Sequence, residues 1–330
     1  MAGVTDPVPR VLSLAFLTLA RIASSGPIFA QATGEQPIRV DVNVVNVLCT
    51  VSDKRGALIT DLHKEDFEIR EDGRKQEIRY FARDTDLPLT VAMLMDVSGS
   101  VRQAIEAERE ATGRFFDVVI RPTDHALLLG FSSTLVLWQD FTSSTVRLRN
   151  ALAQLHAVPF RGLPPIGQPM PGTLLYDAVY QTAMGKLKDV SGRKMMLIVS
   201  DGLDNGSRMH MEEALQAAQE TNTIVYAICY DQKFFGCDFL KSLAEPTGGR
   251  MFDAGKKRKS LGEIYQTIED ELRSQYAIGY VPINQVRDGK FRKLAVKVVS
   301  PGLRVSARRG YYAPGTVETG GKPAKTEGRP

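Results

Sequence analysis

In the run Leu89-Thr90-Val91-Ala92-Met93-Leu94-Met95-Asp96-Val97-Ser98-Gly99-Ser100, seven almost continuously apolar residues give way to a carboxylate and two hydroxyls on alternate positions. An unbroken apolar run of this length suits a strand covered on both faces. From 101 to 120 the apolar positions take helical spacing, with Gly113 the one internal glycine. A buried strand that passes directly into a helix is the opening half of a strand-helix-strand unit, and the chain downstream repeats it.

Strand-like segments fall at 126–131, 135–141, 194–200, 223–230 and 250–253, and helical ones at 145–155, 173–187, 211–221, 238–244 and 261–274. The alternation predicts an α/β fold over 88–275, a doubly wound, mostly parallel sheet flanked by helices. The flanks read differently. Residues 38–51 alternate apolar and polar side chains, as a half-buried strand does, and 67–70 and 77–81 are short alternating strands either side of the turn signal Glu71-Asp72-Gly73-Arg74, expected to form a small antiparallel unit. After Gln275, strands are expected at 276–281, 292–299 and 303–309, with Asp288-Gly289 as a hairpin signal. Because β segments bracket the α/β block, the N-terminal segment 38–84 and the C-terminal segment 276–313 are expected to join into one small β-sandwich. Residues 314–330 are rich in Gly, Pro, Thr and Lys and read as a disordered tail.

Composition sets outer bounds. With 330 residues, 43% hydrophobic and 24% charged, the chain is an ordinary folded protein, large enough for one medium domain and a smaller companion. Its net charge of +4 is small and dispersed, apart from Lys256-Lys257-Arg258-Lys259. No aromatic-plus-basic motif points to nucleic acid. Arg10 and the apolar run of residues 11–20 are too short to span a bilayer and fit a signal peptide over 1–30, cut after Ala30. A single uncleaved N-terminal anchor is the competing reading. Cys49, Cys229 and Cys237 lack metal-ligand spacing. Cys229 and Cys237 either pair in an exported protein, or Cys229, like Cys49, remains a buried thiol in a strand.

The candidate site follows from strand-end geometry. In an open parallel sheet ligands gather at the carboxyl ends of strands, where Asp96, Ser98 and Ser100 emerge. One carboxylate and two hydroxyls are hard oxygen donors, half of the octahedron that magnesium prefers. Two later segments bring more oxygens to the same rim: Gly172-Thr173, which opens a helix, and Ser200-Asp201-Gly202, which closes a strand. The competing job for Asp96 and Ser98 is to cap the following helix.

Together the Asp-x-Ser-x-Ser run, the Gly-Thr before a helix and the strand-terminal Asp-Gly resemble the metal-ion-dependent adhesion site of von Willebrand factor type A domains. The resemblance implies that Asp96, Ser98, Ser100, Thr173 and Asp201 hold Mg²⁺, or Mn²⁺ or Ca²⁺, some through water. It further implies a protein partner whose acidic side chain completes the coordination, and in integrin-like relatives a shift of the last helix, here 261–274, accompanies ligand binding. Val51-Ser52-Asp53-Lys54-Arg55-Gly56, Asp66-Phe67-Glu68-Ile69-Arg70-Glu71-Asp72-Gly73, Tyr276-Ala277-Ile278-Gly279-Tyr280 and Arg309-Gly310-Tyr311-Tyr312 resemble the flanks of Acidobacteria-type relatives of that domain.

Other motifs weigh less. Asp204-Asn205-Gly206 has neither the spacing nor the terminal Glu of a calcium loop and reads as a turn. Asp177 is expected to support the helix or a metal ligand rather than to bind metal itself. The loop 156–171, rich in Pro and Gly, is the candidate for ligand specificity. His63, His125, His156 and His210 share no motif, and neither a Gly-x-Ser-x-Gly nor a phosphate-loop sequence occurs, so no catalytic residue is expected. The expected function is an exported, metal-dependent adhesion or ligand-binding module. A metal-independent assembly scaffold is the alternative, and a metal-dependent hydrolase ranks third for want of a general base.

Overall fold

The computed structural model describes residues 44–83, 87–98, 102–156, 172–230, 236–254 and 260–315, with backbone alone for 102–107. The expected signal segment, strand residues 38–43, Ser100, the 256–259 cluster, nearly all of the 156–171 loop and most of the tail lie outside them.

Four strands come first: β1 (Val45–Ser52), β2 (Phe67–Glu71), β3 (Arg74–Gln76) and β4 (Ile78–Arg83). The α/β part follows as β5 (Leu89–Asp96), α1 (Arg102–Val119), β6 (His125–Phe131), β7 (Leu135–Thr142), α2 (Thr145–Gln154), α3 (Leu175–Thr182), β8 (Arg193–Ser200) and α4 (Met211–Glu220). It continues with β9 (Thr223–Cys229), α5 (Gly236–Ala244), β10 (Met251–Asp253) and α6 (Leu261–Arg273). The chain closes on β11 (Tyr276–Tyr280), β12 (Phe291–Val298), β13 (Arg304–Ala307) and β14 (Gly310–Tyr312).

Six strands form one sheet in the order β10-β9-β8-β5-β6-β7, parallel throughout except for the antiparallel edge strand β7. All eight residues of β5 are buried, because helices cover both faces. Val91, Met93 and Met95 pack with Phe115 and Phe116 of α1, Leu148 of α2 and Ile264, Ile268 and Leu272 of α6. Ala92 and Leu94 pack with Ala178 and Val179 of α3, Ala214 and Ala218 of α4 and Leu240 of α5. This two-sided burial is why the strand reads as an unbroken apolar run, and each such Leu or Met contributes about 1.5–3 kcal/mol. From β5 the chain first extends the sheet to β6 and later returns to its other side with β8. The order therefore reverses at β5 and β8, and the crevice beyond their carboxyl ends is where an open sheet of this kind takes a ligand.

The flanking strands make two four-stranded antiparallel sheets, β13-β1-β11-β4 and β14-β12-β2-β3, each mixing strands from both ends of the chain. They enclose a second core of Val47, Val51, Ile69, Tyr276, Ile278, Tyr280 and Leu294. Two expectations about pairing are corrected. Residues 77–81 do not pair with 67–70: the tight turn Asp72-Gly73, with both φ positive, leads only into short β3, while β4 pairs with β11. Asp288-Gly289 turns the chain but makes no hairpin of β11 and β12, since both edges of β11 are already taken by β1 and β4, and β12 crosses to the other sheet. The helix expected from 173 starts at Leu175.

A buried carboxylate joins the two sheets. Glu71, 2% exposed, accepts hydrogen bonds from the hydroxyls of Tyr280 (2.7 Å) and Tyr311 (2.9 Å). Glu71→Ala orphans both phenols and is expected to cost roughly 2–4 kcal/mol in urea unfolding, whereas Glu71→Gln, which keeps an acceptor, costs less. Equal losses in the two variants would show that side-chain volume, not the hydrogen bonds, matters here.

Candidate metal centre

Asp96 is the last residue of β5, where the parallel register puts it beside Ser200, the last residue of β8. It is 1% exposed. Its Oδ1 accepts from the Ser98 backbone N–H at 2.8 Å and its Oδ2 from the Ser200 hydroxyl at 2.7 Å. These bonds fix the carboxylate without neutralising it. Burial lifts its pKa to about 6 against the opposing pull of the Ser98 and Ser200 hydrogen bonds, and the nearby Asp201 carboxylate adds to the rise.

A third acid lies behind. Glu108 of α1 is 1% exposed, and by distance and angle neither carboxyl oxygen is hydrogen-bonded among the described residues. The Tyr230 hydroxyl is near enough to favour its charge. Burial first, and the Asp96 charge second, push Glu108 up to about 8. Nothing in the sequence reading singled this residue out. Its signal was available: Glu108 stands three, four and seven positions before the buried Ala111, Thr112 and Phe115, on the face that α1 turns to the core.

Asp201 follows β8 directly and accepts from the Leu203 N–H at 3.0 Å. Thr173 reaches the same rim by two attachments. Next to it, Leu174 N donates to the carbonyl of Ser132, just past the end of β6, at 2.9 Å. Thr173 N donates to Asn205 Oδ1 at 2.6 Å, while Asn205 N and Gly206 N donate to the Thr173 carbonyl. Asp204 Oδ2 accepts from Tyr176 N at 3.0 Å, and Asp177 Oδ1 accepts from Arg208 N (3.0 Å) and Met209 N (2.9 Å). Asp204-Asn205-Gly206 is thus a turn that clasps the start of α3 to the Asp201 loop, and Asp177 is the clasp's other half. Gly172 and Gly206 permit the approach, since a Cβ on Gly172 would fall 2.6 Å from Asn205. Asp204→Ala is expected to cost about 1–3 kcal/mol by leaving the Tyr176 N–H and the Ser207 N–H and hydroxyl without their acceptor, read by urea unfolding, with Asp204→Asn milder.

The structure therefore brings Asp96, Ser98, Asp201 and Thr173 to one end of the sheet, while Ser100 lies outside the described residues. No group of three or more His, Cys, Asp or Glu side chains arranged to hold a metal is present among the described residues. The donors that are present, two carboxylates with serine and threonine hydroxyls, are the hard oxygens that a small divalent cation takes. The buried Asp96 carboxylate, with the Asp201 and Glu108 carboxylates near enough to act on it, fits such an ion on electrostatic grounds.

The sequence matches no family profile and no curated protein. Solved structures with a similar arrangement include BatB, a conserved hypothetical protein from Bacteroides thetaiotaomicron, at 14% identity and a TM-score of 0.43, over 56% of this chain and 98% of that one. A von Willebrand factor type A protein from Catenulispora acidiphila is 14% identical with a TM-score of 0.44, over 77% and 74% of the two chains. Proximal thread matrix protein 1 of the mussel byssus, with a zinc-occupied MIDAS motif, is 13% identical with a TM-score of 0.46, over 60% and 48%. At these identities the likeness is one of architecture, and the zinc belongs to the mussel protein.

Proposed function

We propose that this chain is an exported, divalent-cation-dependent binding module, in which Asp96, Ser98, Ser100, Thr173 and Asp201 hold the ion and a carboxylate of a protein partner completes its coordination. The observation that carries the reading is the buried Asp96 beside Asp201 at the reversal point of the sheet, with the Ser98 and Ser200 groups bonded to its carboxylate. A bound cation supplies a Lewis-acidic position for an anionic oxygen. The chain supplies the rest. Ser200 and the Ser98 N–H keep the Asp96 carboxylate fixed, and the clasp through Asp204, Asn205 and Asp177 keeps the Thr173 and Asp201 arms in register. Mg²⁺ suits the all-oxygen set, with Mn²⁺ or Ca²⁺ as substitutes.

Export is part of the proposal and is supported by the Cys229–Cys237 disulfide, a bond that persists in oxidising compartments. No helix among the described residues is long and apolar enough to cross a membrane. Isothermal titration of Mg²⁺ and Mn²⁺ into chelator-treated protein is expected to show one saturable site. The loaded protein is then expected to retain an acidic peptide that the chelated protein releases. Heatless titrations with both ions, together with peptide retention in chelator, would move the metal-independent scaffold ahead.

A further inference from the structure

β9 ends in Cys229 and α5 begins with Gly236-Cys237, and the two cysteines are joined by a disulfide with Cα atoms 5.5 Å apart. The link sits beside the strand end that carries Asp201. Cys229 pairs with Ser200 across the sheet, and the next residue, Tyr230, donates its N–H to the Ser200 carbonyl at 3.1 Å. Gly236 meets the Asp201-Gly202 turn backbone to backbone. A Cβ on Gly236 would lie 1.8 Å from the Asp201 carbonyl oxygen, and a Cβ on Gly202 2.1 Å from that of Gly236. Gly202 has φ +80° and donates its N–H to Ser200 Oγ at 3.0 Å, and Ser200 Oγ in turn donates to Asp96 Oδ2 at 2.7 Å. From the disulfide, one packed contact reaches the Asp201 turn, and two further hydrogen bonds reach Asp96.

We propose that the Cys229–Cys237 disulfide is a redox-sensitive positioning element for the cation site, holding the start of α5 against the Asp201-Gly202 turn so that reduction by a dithiol weakens cation binding. The inference rests on the cation reading above. In the redox step the dithiol gives two electrons and two protons: the Cys229–Cys237 bond breaks, two thiols form, and the reductant closes its own disulfide. With the link open, the covalent tie between the end of β9 and the start of α5 is gone, and the backing of the turn that sets the Asp201 carboxylate rests on the packing of α5 alone. Binding linkage runs both ways, so the cation must favour the disulfide form by the same factor by which the disulfide favours the cation.

The test uses the full chain. Mg²⁺ is titrated into oxidised and dithiothreitol-reduced protein, with circular dichroism recorded on each, and the reduction midpoint is measured in dithiothreitol redox buffers with saturating Mg²⁺ or with chelator. The reduced form is expected to bind Mg²⁺ about tenfold more weakly, and Mg²⁺ to move the midpoint about 30 mV more negative, the equivalent of that factor for a two-electron couple. Cys237→Ser should behave as the reduced protein does. Equal affinities in two folded forms, with an unmoved midpoint, overturn the inference and leave the cation reading intact. Loss of the folded spectrum on reduction also overturns it, because the bond then holds the fold rather than the site. Absence of Mg²⁺ binding in both forms overturns the cation reading and this inference with it.

Discussion

Asp96→Asn is expected to weaken Mg²⁺ binding by on the order of 100-fold, about 2.7 kcal/mol, while leaving the chelated protein as stable as the unsubstituted one or more so. The two halves of the expectation share one cause. Asp96 is held above its ordinary 3.8, at about 6, chiefly by burial. A carboxyl group whose folded pKa is raised binds its proton more tightly in the folded than in the unfolded chain. Stability therefore falls as pH rises from about 4 to about 6, and in chelator at pH 7 the whole penalty, roughly 3 kcal/mol, is present. Asparagine has the same shape, still accepts from the Ser98 N–H, and meets Ser200 through a turned hydroxyl, so it relieves the penalty while removing the charge that a cation needs. Mg²⁺ calorimetry and urea unfolding in chelator at pH 7 check both halves. A variant that binds Mg²⁺ like the parent removes Asp96 from the site, and one that unfolds in chelator makes its charge a structural requirement.

The second large effect is expected at Glu108. Burial and the Asp96 charge hold this carboxyl at about 8 against an ordinary 4.5, so in chelator the folded state loses stability as pH rises through that interval. The full shift corresponds to roughly 3–5 kcal/mol by pH 9. Glu108→Gln removes the titration and keeps the volume. Urea unfolding in chelator is expected to find wild type and variant nearly alike at about pH 4, below both values, and the variant more stable by several kcal/mol at about pH 9. Parallel pH profiles for the two proteins would refute the assignment. Because Asp96 is a minor cause of the Glu108 shift, Asp96→Asn should move the Glu108 transition to slightly lower pH.

Most secondary structure and one half of the site were legible in the chain itself. The two-sided burial of β5 is written in its apolar run, and the rim donors Asp96, Ser98, Thr173 and Asp201 stand at strand or helix boundaries that local pattern marks. Missed were residues whose importance depends on what packs against them. Ser200 was visible only as the neighbour of Asp201, yet its hydroxyl is the group that holds Asp96. Asp204 and Asn205 looked like turn formers, which they are, but the partner of that turn lies about thirty residues away at the start of α3.

By itself the sequence determined which segments are strands and which helices, that the central strand is covered on both faces, and that oxygen donors collect at strand ends. Those properties are local, since a side chain's periodicity records which face of its own element is buried. Tertiary structure alone decided the order β10-β9-β8-β5-β6-β7, which makes the ends of β5 and β8 a crevice. It also decided that β4 pairs with β11, nearly two hundred residues downstream, rather than with β2, and that Cys229 and Cys237 pair rather than stay thiols. Periodicity tells that a face is covered but not by what. The covering element is chosen by which strand edges remain unpaired and which helices fill the layer, and these are properties of the assembled chain.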